Sequence, residues 1–362
     1  MKMSFLLFLL LPVLAAVYVS WRVWHILPLA DVWKGGIVVL LWLWLGLMIT
    51  NFFVLDKMSL ELGTVAYTVG NSWLFVLLYL FLAFFMLDLG RVLRLVPHSF
   101  LNASAVGTLS VFGIVAVLLT FGNVCYHNKV RIPLAQTTSK KLSKPLRIVM
   151  MSDLHLGYHN RRTEFSRWVD MVNEEHPDVI LIAGDVIDMS MKPLIDEDMA
   201  AEFRRLEAPV YACIGNHEYI TGNAKARDFY RRAGINLLRD SVAVYGDLCI
   251  IGRDDYSNRR RKPLSELMKA ADTAKYMILL DHQPWHLEQA ELAGIDFQFS
   301  GHTHEGQVFP ANLIVKAIYE KSYGAYQRGN THYYISSGIG IWGGCYRIGT
   351  RSEYVVMELG QR

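Results

Sequence analysis

The sequence predicts two materials joined in one chain. The first is an N-terminal four-helix transmembrane region; the second is an α/β (α+β) domain, a mixed β-sandwich flanked by helices. Three observations carry this expectation. The 362 residues are 52% hydrophobic and only 19% charged, against about 25% charged in an ordinary soluble domain. Met1 to Tyr126 holds six Lys/Arg and four Asp/Glu, whereas the remaining 236 residues hold 30 and 29. After His127 the pattern turns to short apolar strands alternating with amphipathic helices. This composition argues against disorder, a coiled coil or a nucleic-acid-coating surface, and the net charge of +3 averages over unlike parts.

In residues 1–126, four stretches lack Asp, Glu, Lys and Arg: 3–21, 35–55, 62–87 and 95–128. Each can supply the roughly 20 apolar residues that cross a hydrocarbon core as a helix. The expected spans are 3–21, 36–55, 71–87 and 105–125, with Trp21, Trp24, Trp33 and Trp73 near their ends, as in an interfacial belt. The runs are continuous rather than alternating, which selects helices over a barrel. A soluble helical core would need a charged face every turn or so, and none is present. Leu6–Ala16 could also form the core of a signal peptide, but the run is long and its basic start is Lys2 alone.

Orientation follows the basic residues. The N-terminus, the 56–70 loop and the chain after the fourth span share one side, which carries seven Lys/Arg near the membrane: Lys2, Lys57, Lys129, Arg131, Lys140, Lys141 and Lys144. The other side carries four, Arg22, Lys34, Arg91 and Arg94, so residues 127–362 are expected in the cytoplasm of a multi-pass cell-membrane protein. No ionisable cluster inside the spans suggests a transport pathway. Cys125, Cys213, Cys249 and Cys345 show no CxxC spacing and read as free thiols.

In residues 127–362 the expected elements run in order. They are an edge strand Lys129–Leu134 with a tolerable Pro133, a buried strand Arg147–Met151, a helix near 163–175 and a strand Val179–Ala183. A mainly helical Pro193–Leu206, a strand Val210–Ile214 and a helix Asn223–Ala233 follow. Ile235–Arg253 reads as two or three antiparallel strands, then comes a helix near 264–271, a strand Tyr276–Leu280, a helix 285–293 and a strand 296–300. Strands Tyr333–Ser337 and Tyr354–Leu359 close the chain. Strands occur both before helices and in runs, hence the mixed sandwich.

Five of these strands end in side chains suited to metals. They are followed by Ser152-Asp153-Leu154-His155, Gly184-Asp185-Val186-Ile187-Asp188, Gly215-Asn216-His217-Glu218, Asp281-His282 and Gly301-His302-Thr303-His304. Imidazole nitrogen with carboxylate and amide oxygen is a donor set for Mn²⁺, Fe²⁺ or Zn²⁺, and ligands gather at the carboxyl ends of strands. The glycines allow sharp turns and close approach. Any one signature alone is more often a turn or a packed histidine than a ligand. Five in order, taking five of the ten histidines of this region, are a different matter.

The ordered set D-x-H, G-D-x-x-D, G-N-H-E, a histidine after a strand, and G-H-x-H resembles the calcineurin-like metallophosphoesterase superfamily, and its bacterial membrane-associated branch in particular. The resemblance spans 153–304, and Ser337-Gly338-Ile339-Gly340 with Arg347-Ile348-Gly349 also fits that branch; Gly343-Gly344-Cys345 and Ile348 depart from its usual prolines and Phe. It implies that Asp153, His155 and His304 hold one divalent ion and Asn216, His282 and His302 a second, with Asp185 bridging them. It further implies hydrolysis of a phosphate ester or pyrophosphate by a hydroxide that bridges the metals, with His217 as the catalytic histidine. Asp188 reads as a supporting carboxylate, while Asp281 and His159 have no assigned role.

The partners expected are membrane lipid and a phosphorylated small-molecule or lipid-linked substrate. Lys129 to Arg147 carries six Lys/Arg and no acid, a flank suited to anionic lipid. Residues 148–362 carry 24 Lys/Arg against 29 Asp/Glu, a net of −5, which argues against nucleic acid. Arg259-Arg260-Arg261-Lys262 is a basic loop that could meet phosphate headgroups. Two other classes fit the layout: a binding module with an inactive domain, and a membrane sensor or carrier with a regulatory phosphatase-like domain. The complete donor set opposes the first, and the charge-free spans oppose the second.

Overall fold

The computed structural model describes the backbone from Lys2 to Arg362 and side chains from Leu11 onward, so part of the expected span 3–21 lies outside the described side chains. The chain divides into two compact units: Met1–Val124 with Gly343–Cys345, and Cys125–Trp342 with Tyr346–Arg362.

The first unit is helical: α1 (Lys2–Ile26), α2 (Asp31–Val54), α3 (Leu60–Val92) and most of α4 (Ala105–His127). Among the described residues, Asp31–Lys57, Leu60–Val92 and Ala105–His127 are long and apolar enough to cross a membrane, and Leu11–Ile26 is a shorter apolar stretch of α1. The third helix is much longer than the expected 71–87, because the Ser59 side chain caps it early by accepting from the Leu62 amide. Its buried residues Gly63, Ala66, Gly70, Trp73, Leu77, Leu80 and Phe84 alternate spacings of three and four, the seam of a packed helix pair. Small residues on that seam let α2 come close: Asn51 Nδ2 donates to the Ala66 carbonyl at 2.7 Å and Trp73 Nε1 to the Leu41 carbonyl at 3.0 Å. Arg22 pairs with Asp88, which also accepts from Tyr18, so these charges at the ends of α1 and α3 neutralise one another.

The second unit holds two six-stranded sheets among the described residues. Its elements are β1 (Lys129–Thr138), β2 (Leu146–Met151), α5 (Arg162–Glu174), β3 (Val179–Ala183), α6 (Lys192–Asp196), α7 (Met199–Phe203) and β4 (Val210–Cys213). There follow α8 (Asn216–Thr221), α9 (Asn223–Ala233), β5 (Asn236–Leu237), β6 (Ser241–Tyr245), β7 (Leu248–Gly252), α10 (Leu264–Leu267) and β8 (Tyr276–Leu280). The last are α11 (Glu288–Leu292), β9 (Phe297–Ser300), α12 (Ala311–Ile318), β10 (Gly324–Arg328), β11 (Thr331–Ile335) and β12 (Ser352–Gln361).

The sheet orders are β1-β12-β2-β3-β4-β5 and β10-β11-β9-β8-β7-β6. Both are mixed: β2 through β5 run parallel, while β12 is antiparallel to β2 and parallel to β1. Alternate residues of one strand feed different layers. Ile180 and Ile182 pack under α5, α7 and α9, whereas Val179, Leu181 and Ala183 face Ile250, Ile278 and Phe299 of the other sheet. A third cluster, with Ile251, Leu279 and Leu287, closes the far face under α10 and α11. The fold is thus a sandwich of two sheets with helices outside, and its central strands are apolar throughout because both faces are covered.

Three expectations change in detail. Ile235–Arg253 is not one antiparallel set: β5 extends the first sheet parallel to β4, and β6 with β7 forms a hairpin in the second. The helical stretch 193–206 breaks into α6 and α7 at Asp198, which takes a left-handed φ of 46°. The helix α12 and the strand β10 were not anticipated.

Candidate metal centre

The five signatures leave the carboxyl ends of β2, β3, β4, β8 and β9, which lie side by side in the two sheets. The structure brings all seven expected donors together. Asp153, His155 and His304 form one set with ligand atoms within 4.8 Å of each other, Asp185, His282 and His302 form another, and His155, Asp185 and His217 a third. Asn216 joins the second set through Oδ1, 3.1 Å from His282 Nε2 and 2.8 Å from His302 Nδ1. Asp185 therefore stands between two groups, its Oδ2 lying 3.1 Å from His282 Nε2 and 3.8 Å from His155 Nε2.

Local backbone geometry aims these groups. Asp153, His155, Asp185, His302 and His304 all adopt positive φ, between 45° and 70°. Left-handed conformations are uncommon for residues with a Cβ, and their concentration at one place marks a site that the surrounding fold holds under constraint. Close approach is also required: a Cβ on Gly215 would sit 2.2 Å from Asp185 Oδ1, and one on Gly301 2.2 Å from Asp153 Oδ2.

The tautomers follow from the partners. His282 Nδ1 lies 2.7 Å from the Ala183 carbonyl, which only accepts, so Nδ1 carries a proton and Nε2 is the nitrogen turned toward the acceptor oxygens of Asp185 and Asn216, where it donates until a cation takes the proton's place. His155 Nδ1 is 3.2 Å from Asp188 Oδ1, which turns Nε2 inward. There Nε2 meets His304 Nε2 at 3.2 Å, two ring nitrogens facing each other beside the Asp153 carboxylate. Such a convergence of buried lone pairs is the donor chemistry of a borderline divalent cation.

Electrostatics agree with that fit. Burial pushes His302 down to about 3, with the His282 charge adding to the effect, and burial takes His304 well below the usual histidine range. Burial also opposes charge on His282, but the Asp185 and Asp153 carboxylates override it and hold that ring far above its ordinary value. The Asp153 carboxyl is itself raised by burial. Neutral His302 and His304 beside the Asp185 and Asp153 carboxylates suit a cation, and metal binding to imidazole or carboxyl groups displaces any proton they hold.

Supporting groups surround the donors. Asp188, held down to about 2 against its burial by the His155 hydrogen bond and neighbouring imidazoles, orients His155. His217 donates from Nδ1 to the Asp188 carbonyl at 2.9 Å, its amide donates to Asp185 Oδ1 at 2.8 Å, and 12% of its side chain stays exposed. Asp281 and His159, which had no assigned role, turn to other partners: Asp281 is engaged by Arg253 and Arg261, and His159 contacts the Ile341 carbonyl.

Two residues had no role in the sequence reading. Glu218 is fully buried and accepts from the amides of Gly215 at 2.7 Å, Val186 at 2.8 Å, Ile187 at 3.1 Å and Asp185 at 3.2 Å, tying two donor loops together. Its place three residues after Gly215, the capping-box position, was a usable signal. Arg347 is also fully buried, and donates to the carbonyls of His304 at 2.8 Å and Gly340 at 3.0 Å as well as those of Ser337 and Gly338.

A two-sheet α/β sandwich with a buried His/Asp/Asn cluster at its strand ends defines a class, the metal-dependent phosphoesterases. Residues 146–306 match the family model for calcineurin-like phosphoesterases. An uncharacterized metallophosphoesterase of Campylobacter jejuni is 31% identical over 260 residues, 68% of this chain and 68% of that protein. One from Helicobacter pylori is 31% identical over 225 residues, and this chain spans 61% of its length. A zebrafish (Danio rerio) transmembrane protein with a metallophosphoesterase domain is 29% identical over 350 residues, 90% of this chain and 80% of that protein. The chain belongs to the calcineurin-like metallophosphoesterase family. It is a hydrolase of phosphoester bonds.

Proposed function

We propose that this protein is a membrane-anchored, dinuclear phosphohydrolase acting on a lipid-linked or membrane-proximal phosphate ester or pyrophosphate. The observation that carries the reading is the shared position of Asp185 between the His155 side and the His282 side of the donor cluster. Asp153, His155 and His304 would hold one ion, and Asn216, His282 and His302 the other, with Asp185 common to both. Two bound divalent ions supply Lewis acidity and a nucleophile at neutral pH. The chain's own groups do the rest. Asp188 fixes the His155 ring, Glu218 holds the Gly215 and Asp185 loops in register, and the glycines keep Cβ atoms out of the donor space. The His217 ring, oriented through Nδ1, leaves Nε2 to protonate the leaving oxygen.

Anchoring is supported by the three long apolar helices, and a cytoplasmic catalytic unit by the seven-to-four excess of Lys/Arg. A substrate confined to the membrane follows from that position rather than from any headgroup-reading residue. The test uses the full chain in detergent. Metal counting is expected to give two divalent ions per chain, and bis-p-nitrophenyl phosphate, p-nitrophenyl phosphate or a lipid phosphoester in mixed micelles is expected to turn over. Near-zero metal with no hydrolysis after adding Mn²⁺ removes the reading. Equal kcat/KM for a lipid phosphoester and its water-soluble headgroup analogue removes the lipid-linked part alone.

A further inference from the structure

The helix α12 is built inside out. None of its eight residues is buried, yet Leu313, Ile314 and Ile318 are 54%, 62% and 55% exposed, and Phe309 just before them is 49% exposed. The half-buried positions are Ala311, Asn312 and Val315, and the inward Asn312 Oδ1 is buried without a hydrogen-bond partner. A surface helix of a water-soluble domain turns its apolar stripe to the core. Here Leu and Ile face out while an Asn faces in.

Both ends of α12 are tied to the metal loops. At its start, Gly306 has φ +76° and approaches so closely that a Cβ there would lie 2.4 Å from the Asn312 amide nitrogen, two residues after the donor His304. At its end, the Tyr319 ring packs on Trp285 with centroids 4.2 Å apart and lies 6.4 Å from the ring of His302. Trp285 in turn donates to Gln283, the neighbour of His282, at 3.1 Å. Whatever receives the exposed face of α12 is therefore placed beside the donor cluster.

The chemistry of that face selects the occupant. Lys316 is the one charge on the helix and is exposed. Glu320, just past its end, is engaged by Arg328 at 2.8 Å, and Glu305 is the acid within electrostatic reach of Lys316. Apolar side chains flanking a lone cation suit the boundary of hydrocarbon and anionic headgroups, into which interfacial helices sink by about 5–10 Å. A bilayer is also the partner that the long apolar helices of the same chain require.

We propose that α12 is an interfacial helix, with Phe309, Leu313, Ile314 and Ile318 entering the edge of a lipid leaflet and Lys316 among the headgroups, so that the metal cluster works at the depth of a lipid phosphate. The proposal rests on the membrane-substrate reading above and makes it specific. It is tested on the full chain in nanodiscs containing anionic phospholipid, with Cys125 and Cys345 changed to Ser and a nitroxide placed at Ile314→Cys.

Collisions with dissolved oxygen are expected to exceed those with a water-soluble nickel chelate, in contrast to a nitroxide at Asp228→Cys on α9. Equal chelate access at both sites overturns the proposal, as does dipolar broadening that shows a second copy on the helix. In an activity arm, Leu313→Asp with Ile314→Asp is expected to lower hydrolysis of a nanodisc-embedded lipid phosphoester about tenfold, the scale of losing one well-buried apolar side chain, and to leave bis-p-nitrophenyl phosphate turnover unchanged. Unchanged rates on both substrates overturn it. A wild-type chain that hydrolyses neither substrate defeats the phosphohydrolase reading, while the collision measurement still decides the helix.

Discussion

The two units invert each other's use of apolar residues. In the helical unit, Val32, Phe53 and Leu109 are each about three-quarters exposed, and the buried seam of α3 includes Gly63, Ala66 and Gly70. In the α/β unit most large aliphatic residues are inside, those of α12 being an exception, and ion pairs such as those of Arg161, Arg162 and Arg205 with Glu197 and Glu202 lie at or near the surface. The difference matches what lipid and water each favour. Where the surroundings are as apolar as Leu, helices gain little by burying Leu and associate through small residues and polar contacts instead. Where the surroundings are water, burial of aliphatic surface drives the fold. The candidate metal centre lies in the second unit, where strand ends bring its side chains together.

The strongest way to break this comparison is to remove the shared carboxylate. Asp185→Asn is expected to lower bis-p-nitrophenyl phosphate turnover by about a thousandfold, the scale of a charge-stabilising active-site group, with circular dichroism unchanged. Substantial remaining activity would place the chemistry elsewhere. His217→Ala is expected to cost roughly 10²- to 10⁴-fold in kcat while metal content, measured by elemental analysis, stays at the wild-type value; lost metal would make His217 a ligand, as its proximity to His155 and Asp185 permits.

A change in the helical unit should do the reverse. Gly70→Leu would drive a Cβ to 2.4 Å from Asn51 Nδ2 and 3.3 Å from Met48 Cα, so unfolding in detergent is expected about 1–3 kcal/mol more easily with turnover of soluble esters intact. Loss of that turnover would show that the units do not act independently.

The smallest effect is acid sensitivity. Burial alone would raise Glu202, but hydrogen bonds from Arg205 and Arg162 prevail and hold it below its ordinary 4.5. Its contribution is therefore present above pH 4.5 and is lost as pH falls through the lowered value. Since both arginines are over 40% exposed, Glu202→Gln should cost no more than ~1 kcal/mol at pH 7, and thermal unfolding of the variant should vary less between pH 5 and pH 3. An unchanged acid slope would place that sensitivity on other groups.

Much of the α/β unit was legible because its signals are local. The apolar runs Val179–Ala183 and Tyr276–Leu280 and the amphipathic Asn223–Ala233 coincide with β3, β8 and α9 residue for residue. The seven expected donors, which the structure brings together, each follow such a run. What escaped depended on distant partners. Glu218 matters through amides on the Asp185 loop, and Arg347 through the carbonyls of His304, Ser337, Gly338 and Gly340. The helix α12 is short and presents its stripe to the outside, so periodicity offered no core for it to join. The crossing from β5 to β6 is set by which sheet has an open edge, a property of the assembled sandwich.

The edge of the first sheet carries a consequence in time. Strand β1 leaves α4 directly, yet its sheet neighbour is β12, with which it pairs in parallel from Lys129 beside Ser352 to Thr138 beside Gln361. On a ribosome, β1 emerges before every other strand and must wait for the last of them. Through that interval its backbone amides and carbonyls, and those of β2 on the side that β12 will cover, stand open beside the basic residues Lys140, Lys141 and Lys144. Basic side chains beside an unpaired edge discourage pairing with foreign strands. The basic residues counted for the proposed orientation thus also stand beside a strand that is born early and completed late.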